Sequence, residues 1–205
     1  MCSSDLKKTL NIPGLEHSGR SLNVENIFED SEKQIWVGTR SGLYRSKDGK
    51  LEAYQLRSLQ NDPSPVWVRK IMEDRQGNFW ISTEEDGFFK LNSQTKEVVN
   101  YVHNWSDWNS LLNNRVRTMF EDEEGRIWIG TREGLSIFYP QSNEFQNYIY
   151  NRYDPTSLSH WSIRDISSDN ANGIWIATYA GGLNYYHPKG SIFSHITGEY
   201  GTNNT

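Results

Sequence analysis

Short apolar stretches recur along this chain between polar segments rich in Asp, Asn, Gly and Ser. Four of them centre on tryptophan: Ile35-Trp36-Val37-Gly38-Thr39, Phe79-Trp80-Ile81-Ser82-Thr83, Ile127-Trp128-Ile129-Gly130-Thr131 and Ile174-Trp175-Ile176-Ala177-Thr178. None alternates strictly between apolar and polar positions, so each predicts a short strand buried on both faces. Upstream of each lies a second apolar segment: Val24 with Ile27, Val68 with Ile71, Val116 with Met119, and Ile163 with Ile166. Downstream comes a third, as in Gly134-Leu135-Ser136-Ile137-Phe138-Tyr139, and then a fourth with an aromatic or His pair, as in Phe145 to Tyr148 or Phe193 to His195. Helical periodicity is absent throughout.

The segments keep a common register. The tryptophans Trp36, Trp80, Trp128 and Trp175 are spaced by 44, 48 and 47 residues. Six residues before each stands an aspartate (Asp30, Asp74, Asp122, Asp169), and six or seven after each a glycine (Gly42, Gly87, Gly134, Gly182). Four short strands per repeat at this period predict an all-β fold, a β-propeller of four tandem four-stranded antiparallel blades. The blades are expected over 21–62, 63–112, 113–159 and 160–198, after an N-terminal segment 1–20 and before a linker 199–205. Asp122-Glu123-Glu124-Gly125 has the chemistry of a tight hairpin turn, in which Asp accepts from nearby backbone N–H groups and Gly takes positive φ. Asp74 with Gly77 repeats it. The other two copies place Lys33 and Asn172 in the glycine slot. Asn tolerates that conformation, whereas Lys should cost about 1 kcal/mol, so the first blade is expected to turn less tightly.

The full pattern, Val-x-x-Ile/Met-x-Glu-Asp-x-x-Gly-x-Ile-Trp-Ile-Gly-Thr-x-x-Gly-Leu, resembles the two-component regulator propeller repeat, and Val116 to Leu135 fit it at every position. Asp154-Pro155-Thr156-Ser157-Leu158-Ser159-His160 is similar to the family's inter-blade linker. The resemblance runs from about Val24 to His195, with departures at Ser167-Ser168-Asp169 in the fourth repeat and at Phe88 in the second. It implies the periplasmic sensor region of a hybrid histidine kinase, of the kind that responds to polysaccharide breakdown products in Bacteroidetes. The input domain of a diguanylate cyclase and a protein-interaction scaffold are the alternatives, with a propeller lyase or glycosidase behind them. Since family members build larger rings, the resemblance further implies a partial propeller, with Tyr200 to Thr205 as a truncated linker and the remaining blades and signalling domains as partners. Met1-Cys2-Ser3-Ser4-Asp5-Leu6 matches nothing else in the chain and reads as a processing scar.

Composition narrows the chemistry. With 26 acidic against 21 basic side chains, a net charge of −5, the basic residues form no concentrated field for a phosphate backbone or anionic lipid. Neither nucleic acid nor a membrane is expected as a partner of this segment, and no apolar run approaches the roughly 20 residues that span a bilayer. A single cysteine, Cys2, allows no internal disulfide and no cysteine-based zinc site. The five histidines, His17, His103, His160, His187 and His195, lack ligand spacing and are expected in solvated loops, so neither metal nor cofactor is anticipated. Acidic pairs such as Glu121-Asp122 recur once per blade, as a turn motif must and a catalytic pair need not. No nucleophile motif occurs, and the reading is of a non-enzyme.

Four tryptophans stand outside the register: Trp67, Trp105, Trp108 and Trp161. Trp67 and Trp161 fall where a propeller chain enters the innermost strand, at its ligand-binding face. Arg69, Arg117 and Arg164 follow at a common slot that holds Glu25 in the first blade. Indole faces beside planar hydrogen-bonding groups suit a small-molecule ligand such as an oligosaccharide. The same residues also suit gap-filling between blades, and the sequence leaves both readings open.

Overall fold

The computed structural model describes residues 23–57, 64–187 and 193–196. Their strands form four antiparallel sheets, each with its strands in sequential order. The first sheet holds β1 (Val24–Glu29), β2 (Ile35–Thr39), β3 (Gly42–Lys47) and β4 (Lys50–Tyr54); the second β5 (Val68–Glu73), β6 (Phe79–Thr83), β7 (Phe88–Leu91) and β8 (Val98–Tyr101). The third holds β9 (Val116–Glu121), β10 (Ile127–Thr131), β11 (Leu135–Tyr139) and β12 (Glu144–Tyr148), and the fourth β13 (Ile163–Ser168), β14 (Ile174–Thr178), β15 (Leu183–Tyr186) and β16 (Phe193–Ile196). First strands pack on first strands, β1 on β5, β5 on β9 and β9 on β13, which makes them the inner wall of a β-propeller.

One carboxylate organises each blade. In the third, Asp122 Oδ1 accepts from the Glu124 and Arg126 backbone N–H groups, while Oδ2 accepts from the Trp128 indole N–H at 2.6 Å. The arrangement recurs at Asp30 with Trp36 (2.8 Å), Asp74 with Trp80 (2.8 Å) and Asp169 with Trp175 (2.9 Å). The aspartate thus shapes the β1–β2-type turn and also satisfies the polar edge of an indole that is otherwise buried in apolar surroundings. The glycine slot has positive φ in every blade: Lys33 at 67°, Gly77 at 80°, Gly125 at 76° and Asn172 at 63°. The first blade turns as tightly as the others, with Lys33 N–H donating to Asp30 O at 3.0 Å against 2.9 Å for Gly77 to Asp74. The expected loosening is absent because three bonds to Asp30 hold the turn against the strain at lysine.

The three apolar cores lie between blades. Trp36 packs on Phe79 of the next blade at 4.9 Å, Trp80 on Phe138 at 5.7 Å, and Trp128 on Tyr186 at 5.1 Å. Glutamates fasten the same junctions from below: Glu73 accepts from Ser31 N–H and Oγ–H, and Glu121 from the Arg75 N–H, each donor lying in the preceding blade's turn. The acidic pair is therefore a turn cap joined to an inter-blade clasp. The outward faces of the first and fourth blades are uncovered: Ile27 is 66% exposed where its counterpart Met119 is 2%, and Leu183 is 38% exposed where Leu135 is 0%.

Three of the histidines do structural work in place of lying loose in solvent. His103 Nδ1 meets Leu111 O at 2.7 Å, His160 Nδ1 accepts from the Ser162 N–H at 3.0 Å, and His195 Nε2 meets Ser157 O at 2.6 Å. Each braces a connection between blades. His17, the initial Met1 to Leu6 and the final Tyr200 to Thr205 lie outside the described residues.

Candidate functional site at the funnel mouth

A β-bulge interrupts the innermost strand of every blade at one position. Val68 pairs with Thr83 and Lys70 with Ser82, leaving Arg69 without a partner in the ladder. Glu25, Arg117 and Arg164 are skipped in the same way. A bulge re-aims side chains and turns two successive residues toward one side. Here the apolar residues on either side of it, Val68 and Ile71 or Val116 and Met119, stay in the inter-blade cores. The two residues between them line the central funnel.

They form two tiers. In the lower, Lys70 Nζ donates to Thr118 Oγ1 at 3.0 Å, Thr118 Oγ1 donates to Asp165 Oδ1 at 2.9 Å, and Lys70 lies 3.6 Å from Asp165, so three blades are joined by one polar chain. The upper tier holds Glu25, Arg69, Arg117 and Arg164. Above it are Arg40, Glu84, Arg132 and Tyr179, each of whose backbone N–H donates to the carbonyl at the entry of its own blade's inner strand: Asn23, Trp67, Arg115 and Ser162.

Charge is distributed unevenly around this mouth. On the side of the first two blades, Arg40 pairs with Glu25 at 2.7 Å, and Arg69 lies 3.4 Å from both Glu25 and Glu84. On the side of the last two, Arg117, Arg132 and Arg164 have no carboxylate within ion-pair distance among the described residues. Arg117 donates to Ser162 Oγ at 2.6 Å, and Arg164 lies 4.5 Å over the Tyr179 ring. Burial holds the Arg117 guanidinium below its ordinary range, repulsion from Arg164, Arg69 and Arg132 adds to this, and Glu84 opposes it.

Trp67 and Trp161 occupy this face but not equivalent places. Trp67 directly precedes the residue that opens β5, whereas in the fourth blade that position is Ser162 and Trp161 stands one residue earlier. In extended chain a one-residue shift reverses the side chain. Trp67 is half-buried under Arg40, whose guanidinium is 4.5 Å from the ring, and its indole N–H is enclosed without a hydrogen-bond partner among the described residues. Trp161 is 53% exposed and contacts His160 and Tyr150 edge-on or tilted. Beside it, Tyr150, Arg152, Leu158, Tyr179 and His195 line a cleft of about 850 Å³. Trp105 and Trp108, 87% and 76% exposed, lie on the connection between the second and third blades.

Sequence reasoning named the upper tier but missed Lys70, Thr118 and Asp165 below it, and Arg132 and Tyr179 above. The signal was present. Apolar residues three apart within a strand cannot share a face without an inserted residue, so Val-x-x-Ile in each repeat encodes the bulge.

Comparison with known proteins places the repeats. The family described as two component regulator propeller matches residues 18–41, 62–85 and 110–133. Histidine kinase P4 of Formosa agariphila is 28% identical over 57% of this chain and 9% of its own length. The extracellular domain of a hybrid two-component system from B. thetaiotaomicron superposes with a TM-score of 0.67 at 25% identity, over 79% of this chain and 21% of that one. Virginiamycin B lyase from Staphylococcus aureus shares the fold, with a TM-score of 0.64 at 14% identity over 87% of this chain and 57% of the lyase. The chain thus spans about a tenth of the curated kinase and about a fifth of the extracellular domain.

Proposed function

We propose, for a chain whose first three blades match the two component regulator propeller, that it is a ligand-sensing part of a periplasmic propeller and that its ligand is an oligosaccharide. The observation that carries this reading is the funnel mouth of the third and fourth blades. There, guanidinium groups without carboxylate partners among the described residues stand by the exposed Tyr179 ring, which lines one cleft with Tyr150, the ring that Trp161 packs against. Sugar rings offer an apolar C–H face to an aromatic ring and hydroxyls to planar donors, so the two kinds of group serve one ligand. Arg69 and Trp67 contribute less directly. The first is already paired and the second is covered by Arg40, so they set the shape of the wall.

The kinase relative and the extracellular location of the solved neighbour support a sensor feeding a hybrid histidine kinase, with remaining blades and signalling domains as its covalent partners. A lyase or glycosidase would work through a free proton donor and acceptor converging on the funnel, and Glu25, Glu84, Lys70 and Asp165 there are engaged in ion pairs. Calorimetry of the chain against plant and host glycan fragments tests the reading. Modest, reversible binding that weakens in Trp161→Ala is expected; turnover of any fragment would favour the enzyme, and unchanged affinity in Trp161→Ala would place the ligand elsewhere.

A further inference from the structure

We infer that the ligand taken at this mouth is acidic: a uronate or sulfated oligosaccharide whose oxyanion is held by Arg117, Arg132 and Arg164. The inference rests on the sensor reading and adds the ligand's charge. Like charges brought together without a counter-ion cost free energy, and they persist only where the fold over-determines them. Here the fold does over-determine them. The bulges at 117 and 164 aim both guanidiniums into the funnel, and the β10–β11 loop brings Arg132 to the same rim.

The contrast within the same molecule is informative. At the equivalent rim of the first two blades, Arg40 and Arg69 are satisfied by Glu25 and Glu84, both supplied by equivalent slots. In the third and fourth blades those slots hold Arg117, Arg132, Arg164 and Tyr179, so the internal counter-charge has been replaced by cations and a ring. Repulsion among the arginines and burial of Arg117 already penalise the ligand-free charged state, and pairing with an oxyanion would offset that penalty. Guanidinium forks match the two oxygens of a carboxylate or sulfate. The net charge of −5 gives the protein no general attraction for anions, so any such affinity must be local.

The test is titration calorimetry of the chain with four probes: an oligogalacturonate, a sulfated oligosaccharide, a neutral oligosaccharide of equal length, and inorganic sulfate. The uronate or the sulfated sugar should bind about tenfold or more tightly than the neutral one, as one charge-assisted contact provides, and which of the two binds identifies the oxyanion. Arg132→Gln, at an exposed position, and Arg117→Gln should each remove most of that preference, whereas Arg40→Gln, at the first blade's rim and paired with Glu25, should leave it within about twofold. Near-UV circular dichroism of each variant separates loss of the site from loss of the fold. Equal binding of neutral and acidic sugars would overturn the inference and leave oligosaccharide sensing standing. Binding of sulfate alone, lost in Arg132→Gln, would keep the oxyanion site and overturn the sugar reading; no binding of any probe would sink both.

Discussion

In the first three blades the central residue is the repeat tryptophan, because its ring fills the space between two blades while its N–H closes the carboxylate that shapes its own blade's turn. Trp128→Ala removes both and should cost about 3–5 kcal/mol in denaturant titration, in the range for large buried aromatics. Trp161→Ala, at an exposed ring, should cost less than about 1 kcal/mol; equal losses would show that the division between core and rim indoles is wrong. A titrating residue gives an independent check. Burial, with the neighbouring Tyr186 and Tyr139 adding to it, pushes the Tyr148 phenol up to about 12. The unfolded phenol ionises near its ordinary value of about 10, whereas the folded one keeps its proton longer. The neutral form is therefore favoured by folding, and stability should be fully present below about pH 10 and fall as pH rises toward about 12. Tyr148→Phe should flatten that part of the midpoint-against-pH curve, and a curve unchanged by the substitution would remove Tyr148 as its source.

Among the elements, the inner strand has the most consequence, since its bulge decides which side chains see the funnel. The strands themselves were legible from apolar segments in fixed register, and the turns from Asp and its positive-φ partner. The lower tier was not legible, because Lys70, Thr118 and Asp165 come from three different blades and only their packing brings them together. The small residue in the middle of the second strand reports how closely blades approach. A Cβ at Gly130 would come within 2.6 Å of Ile163 Cγ2 and 2.7 Å of Thr118 Cγ2. Gly130→Ala should therefore cost about 1–3 kcal/mol by overpacking, read as a lower denaturant midpoint with an unchanged slope. A neutral result would mean that the third and fourth blades separate more readily than their packing implies.

For the whole molecule, the uncovered faces matter most. Val24 and Ile27 at one end and Leu183 at the other are apolar and exposed, and their counterparts inside the arc show that such faces are complementary. A head-to-tail contact of this kind joins one chain's last blade to another's first, so the chain should self-associate with rising concentration in light scattering. Ile27→Glu should suppress that, and a concentration-independent monomer would argue against it. The sequence by itself determined the blade count, the strand order, the turn chemistry and the family resemblance, because these depend on local spacing repeated four times. It also named Arg69, Arg117 and Arg164 as one slot. Only the tertiary structure decided what that slot does in each blade, since the partners come from neighbouring blades: Glu25 and Glu84 neutralise Arg69, while Arg117 and Arg164 meet Arg132, Ser162 and Tyr179. Likewise Trp67 and Trp161 look alike along the chain, and a one-residue offset at the strand entry buries one beneath Arg40 and leaves the other facing solvent. Charge balance and exposure are sums over residues distant in sequence, which no local pattern contains.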